Sequence, residues 1–241
     1  MTAQPEPRRS CGGVLGTLVI VGAVIVGTVL VSPDLHLTDL RDAAIDPLAG
    51  VPGSGGDGYT FMATTPGGNP VTWPCDGTIE VEVNPQGAPE GYAALIASAV
   101  GQVNDASGFT FEVVGETDDR ELRERGAGPV LLAWADEEEV PELAGTTAGT
   151  TAGIGGASYL QGPGGGGHAV GGMVVLDTDT PGGFLRRWDL EPVLVHELVH
   201  VLGLGHSEDP SQLMAPEYAS QRGLGDADLA GLQALREVAC S

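Results

Sequence analysis

Apolar and polar positions alternate, cluster or recur along this chain in ways that mark its elements. Residues 13 to 31, GVLGTLVIVGAVIVGTVLV, are 19 positions without a charge. As a helix they span roughly 28 Å, close to the hydrocarbon thickness of a bilayer. Residues 32 to 70 show no lasting period and are rich in Gly, Pro, Asp and Thr. They read as a flexible stalk or short pro-segment, with ordered structure starting near Val71. GTIEVEVNP (77–85) alternates as a strand does. Within 90–108, Leu95, Ile96, Ala99, Val100 and Val103 fall at helical spacing, and Gly108 is a stop signal. FTFEVVG (109–115), GPVLLAWAD (128–136) and GMVVLDTD (172–179) predict further strands, with an edge strand around Ile154 to Leu160 inside a glycine-rich stretch. EPVLVHELVHVLG (191–203) predicts a helix with Asp189 as N-cap and Pro192 in its first turn. DADLAGLQALREVAC (226–240) predicts a last amphipathic helix capped by Asp226. Strand, helix, strands, helix, loop, helix is the order of an α/β sandwich with a mixed sheet.

Flanking charge orients the apolar run. Arg8 and Arg9 precede it, and Asp34, Asp39 and Asp42 follow it. The positive-inside rule then places residues 1–12 in the cytoplasm, 13–31 across the membrane, and the stalk (32–70) and a domain of 71–241 outside. The run is longer than a signal-peptide core and no A-x-A site follows, which favours an uncleaved anchor over a cleaved signal; cleavage would instead give a secreted form. The net charge of −23, with every basic residue an arginine, excludes a nucleic-acid partner. Of three cysteines, Cys11 precedes the run, and Cys75 and Cys240 follow it, outside the reducing compartment and free to pair; the alternative is two separate buried thiols. Nothing in the chain sets an oligomeric state.

The chemistry is concentrated in one helix. His196 and His200, four residues apart, share a face about 40° wide and can hold one metal ion. Glu197 points about 100° away, within reach of a water on that metal rather than of the metal itself. A glycine at position 203 can take φ > 0, end the helix and turn the chain so that His206 returns to the same ion. Three neutral imidazoles with an open fourth position are the donor set of a catalytic zinc. A buried helix with merely hydrogen-bonded histidines does not account for three at ligand spacing.

HELVHVLGLGHSEDPSQLMAP (196–216) resembles the zinc-binding stretch and Met-turn of the metzincins, most closely the matrixin branch. The resemblance implies a metzincin-type zinc protease domain, a twisted mixed sheet with an active-site helix and a C-terminal helix, preceded here by one transmembrane helix. It implies one catalytic zinc held by His196, His200 and His206, Glu197 as general base for a metal-activated water, and Met214 as the Met-turn residue. Leu224, Asp228, Leu232 and Leu235 resemble the family's C-terminal helix. It further implies a protein or peptide substrate lying along the edge strand near Ile154 to Leu160, with Pro216 and Tyr218 walling the side-chain pocket. No PRCGxPD-type cysteine switch precedes the domain. With only His168 upstream, a second zinc is not expected and His168 reads as a loop residue. Asp177 and Asp179 read as a solvated turn rather than a calcium site. Two other readings stay open: a non-catalytic, zinc-bound adhesion or scaffolding domain, and a latent enzyme activated by removal of residues 32 to 70.

Overall fold

A computed structural model describes residues 53–54, 58–123, 125–144, 152–161, 167–178, 187–216 and 221–241. The predicted membrane span at 13–31, residues 1–12 expected in the cytoplasm, Cys11, Asp179 and Tyr218 lie outside the described residues. Among the described residues no helix is long and apolar enough to cross a membrane.

The elements run β1 (Gly53–Ser54), β2 (Thr60–Phe61), β3 (Ile79–Val83), α1 (Tyr92–Ser107), β4 (Phe111–Glu116), β5 (Val130–Ala135), a 3-10 turn (Pro141–Ala144), β6 (Gly153–Gln161), β7 (Gly167–Asp177), α2 (Arg187–Leu202) and α3 (Asp226–Ala239). β1 and β2 pair with each other; the other strands form one five-stranded sheet in the order β4-β3-β5-β7-β6. The first four of these are parallel, and β6 alone runs antiparallel, on β7. The mixed α/β sheet expected from the element order is therefore present.

Burial follows from that order. β5 lies at the centre with helices on one face and loops on the other, so VLLAWA is buried throughout, as a strand covered on both sides must be. Val130, Leu132 and Trp134 face α1, α2 and α3. Leu131, Ala133 and Ala135 face a second cluster with Leu122, Val140 and Leu143. β3 alternates, with Ile79, Val81 and Val83 inward and Glu80 exposed. α1 buries Leu95, Ile96, Ala99, Val100 and Val103, the positions its period picks out, and ends on Gly108 in the left-handed region at φ 71°.

Five expectations need correction. Ordered packing begins before Val71: Phe61 and Ala63 are buried, and Met62 N–H donates to Gly203 O at 2.8 Å. A glycine-rich composition concealed this, because the few apolar residues there pack against distant parts of the chain. α2 starts at Arg187, so Asp189 lies inside the helix rather than at its cap and Pro192 falls in the second turn. Nothing in RRWDLEP breaks a helix before the proline, and Leu190 packs against the core. α3 is capped by Gly225, not Asp226; Gly225 N–H donates to the Asp228 carboxylate at 2.9 Å, one residue-turn into the helix. His168 stands on β7 and is exposed, not in a loop. β6 and β7 form a hairpin longer than the predicted strands, in register from Gly153↔Leu176 to Gln161↔Gly167 with one irregularity at Ser158/Tyr159.

Cys75 and Cys240 are joined by a disulfide, which ties the chain ahead of β3 to the end of α3. Arg236 reinforces this seam by donating to Cys75 O and lying 5.1 Å over the Phe109 ring.

Candidate metal centre

α2 carries His196 and Glu197 on one turn and His200 on the next, against the sheet. The helix stops where Gly203 takes φ 108°. A side chain at Gly203 would be doubly opposed, by that backbone conformation and by Val71 O, 2.8 Å from where its Cβ would stand. The reversal places Gly205 and His206 beside the helix end, and Ser207 N–H donates to Met214 O at 2.8 Å, joining the third-histidine loop to the following turn.

His196, His200 and His206 come together: one ligand nitrogen from each lies within 4.8 Å of the others. Among the described residues this is the group of three that can hold a metal ion. His196 Nδ1 lies 2.8 Å from Leu213 O and His200 Nδ1 2.7 Å from Leu204 O. A carbonyl only accepts, so both Nδ1 atoms carry hydrogen and both Nε2 lone pairs are free for a cation. His200 Nε2 and His206 Nε2 are 3.2 Å apart. Two nitrogens bound to one tetrahedral zinc at 2.0–2.1 Å stand about 3.3 Å apart, so the donor set fits zinc in its chemistry and the His200–His206 pair fits it in spacing.

Burial tunes every group here. It pushes His196 down to about 4, with the backbone bond to Leu213 acting the other way and the neighbouring His206 adding to the fall. Burial likewise drives His200 well below the usual histidine range, helped by its two histidine neighbours, and lowers His206. All three are thus neutral and ligand-ready near pH 7. Glu197, 6% exposed, is pushed up to about 8 by loss of solvent.

These shifts set the stability profile of the metal-free protein. An unfolded histidine takes up its proton near 6.5 but folded His196 only near 4, so acidification across that window favours the unfolded chain by about 1.4 kcal/mol per pH unit. Glu197 has the opposite sign: it ionises near 4.5 when unfolded and about 8 when folded, so raising the pH between them weakens the fold. With three histidines against one glutamate, the metal-free protein is expected to be most stable at about pH 6.5 and to lose Tm on both sides. A cation beside Glu197 favours its ionised form and removes the alkaline limb. Thermal melts from pH 5 to 9, in chelator and in zinc, check both halves.

Three contacts that support the site are visible only in the folded chain. The first is the contact of β6 with α2. A Cβ at Gly155 would lie 2.4 Å from Glu197 O, and one at Gly153 3.3 Å from Glu197 Oε1. The glycines of this low-complexity stretch therefore let the edge strand cross directly over the glutamate. The second is Asp228, fully buried, which accepts from Leu213 N (2.8 Å), Met214 N (3.4 Å) and Gly225 N (2.9 Å). Its burial pushes the carboxyl up, and those three amides act against the rise. Because Leu213 O also receives His196 Nδ1, Asp228 steadies a ligand through one intervening peptide. The third is Gln212, whose Oε1 accepts from Ala227 N at 3.0 Å and Asp228 N at 3.4 Å and so caps α3. Met214 is buried below this turn and Pro216 is exposed beyond it.

A histidine pair on a helix, a glycine turn to a third histidine, and a mixed sheet whose antiparallel edge crosses the helix are the arrangement that the metzincin resemblance implies. Residues 132–237 match the matrixin peptidase family model, so that stretch of the chain is matrixin-like. It is 42% identical to a 72 kDa type IV collagenase of Gallus gallus over 66 residues, covering 26% of this chain and 10% of the relative. It is 40% identical to matrix metalloproteinase-15 of Homo sapiens over 86 residues, 32% of this chain and 12% of the relative. It is 41% identical to matrix metalloproteinase-16 of Rattus norvegicus over 71 residues, 25% of this chain and 10% of the relative. The chain thus spans about a tenth of the length of these curated relatives. The family match supports zinc metalloprotease chemistry.

Proposed function

We propose that this protein is a zinc-dependent endopeptidase that hydrolyses peptide bonds of proteins or peptides outside the cell, from a domain anchored by the apolar run at 13–31. One observation carries the enzymatic reading: three imidazoles, two with their tautomers fixed by backbone carbonyls, converge beside a desolvated carboxylate. His196, His200 and His206 would hold the zinc ion, which when bound supplies the Lewis acidity that acidifies a water and polarises a carbonyl. Glu197 is the general base: its carboxylate takes a proton from the attacking water and returns it to the leaving amine. Burial raises its affinity for a proton, and a cation bound beside it would restore the ionised form that a base needs.

β6 is the strand on which an extended substrate would pair, because its second edge is free of any strand among the described residues. Gly153 and Gly155 bring that edge against Glu197, so a peptide paired there passes near the base. Pro216 and Tyr218 are proposed to wall the pocket for the side chain beyond the scissile bond. The Cys75–Cys240 disulfide supports the extracellular assignment, since such bonds persist in oxidising compartments.

Digestion of a peptide library by the purified full chain, with bound metal quantified, tests this reading. Stoichiometric zinc with internal cleavage of extended peptides is the expected result. Zinc without cleavage would instead favour the scaffolding domain.

A further inference from the structure

Of the three imidazoles, His206 has the least support of its own. His196 and His200 stand on α2 with Nδ1 held by a carbonyl. His206 lies on the loop beyond the helix, is exposed, and has no carbonyl partner for its ring among the described residues. Its place is set by the loop backbone, and that backbone is gripped from outside by residues 58–62. Met62 N–H donates to Gly203 O at 2.8 Å, and Phe61 bridges Leu204 in antiparallel fashion. Gly205 N–H donates to Thr60 O at 2.8 Å, and Thr60 Oγ1 donates to His206 O at 2.7 Å. Ser207 Oγ donates to Gly58 O at 2.6 Å. Each residue from 203 to 207 is thereby engaged.

We propose that residues 58–62 form a strap that positions the third metal ligand, with Thr60 as its positioning residue. This rests on reading the three histidines as a metal site. Thr60 holds two successive loop residues, one through its carbonyl and one through its hydroxyl. The strap is itself anchored: Phe61 is buried in the main core and Tyr59 packs against it. Strap and loop are in direct contact, since a Cβ at Gly205 would lie 2.4 Å from Thr60 Oγ1. Contacts outside the metal site thus hold the loop, which lowers the free energy that metal binding must supply to order it.

The test uses the full chain carrying Thr60→Val, Thr60→Ser, Ser207→Ala, and Val81→Ala as a core variant remote from the site. Zinc affinity is read by competition with a chromophoric chelator, ligand geometry from the d–d absorption of the cobalt-substituted protein, and stability from melts in chelator. Losing one net hydrogen bond should weaken zinc about five- to tenfold in Thr60→Val and shift the cobalt spectrum. Thr60→Ser should restore both, and Ser207→Ala should weaken zinc in the same direction. Val81→Ala should lower Tm without moving affinity. Wild-type affinity and spectrum in both Thr60→Val and Ser207→Ala would overturn the strap alone, as would an equal loss in Val81→Ala. A wild type that holds no zinc would overturn the strap and the metal-site reading together.

Discussion

Glu197→Gln is expected to lower peptide hydrolysis by about 10³-fold while leaving zinc content near one per chain; that factor corresponds to about 4 kcal/mol of barrier. The amide matches the carboxylate in shape but cannot take a proton from water. Folding should tolerate the change, because the carboxylate is already held against its charge by burial, and a neutral group in its place removes that penalty. The metal ligands are on other residues, so metal content and activity separate in this variant. Activity within tenfold of wild type would show that the base lies elsewhere. Loss of zinc together with activity would show that the residue serves the fold of the site rather than the proton transfer.

Removing the disulfide should produce the largest loss of stability. Cys75 and Cys240 are separated by 165 residues, so the bond closes a loop holding nearly the whole described domain. The chain-entropy relation puts the loss at about 5 kcal/mol for Cys75→Ala with Cys240→Ala, a large part of what a domain has in total. The last turn of α3 should fray first, because Cys240 ends that helix and the seam to Cys75 otherwise depends on Arg236. Denaturant titration of the double variant, and of wild type with and without reductant, measures the loss. A change below about 1 kcal/mol would mean the unfolded chain is already compact enough that the link restricts little.

The two predictions draw on unlike kinds of information in the chain. Glu197 and its neighbouring ligands are local: a spacing of four on a helix, then three to a glycine, fixes which side chains share a face and where the helix can stop. The cysteines are only positioned by compartment, and their meeting across 165 residues is a property of the folded sheet and helices. Asp228 lies between these extremes. Its place in the last helix is plain from periodicity, but its bonds to Leu213, Met214 and Gly225 exist only because α3 docks beneath the turn.

The sequence by itself determined the strands at β3, β4 and β5, the buried face of α1, the helix bearing His196, Glu197 and His200, and the turn at Gly203, because each depends on periods of two or 3.6 residues or on the freedom of one glycine. Tertiary structure decided that residues 58–63 belong to the domain, that β6 passes over Glu197 at Gly153 and Gly155, that α2 begins a turn early, and that His206 is held by a distant strap. Those outcomes depend on close approach between segments far apart in the chain. A glycine run or a single threonine carries no periodic signal of what will pack against it, so only the assembled fold gives these residues their roles.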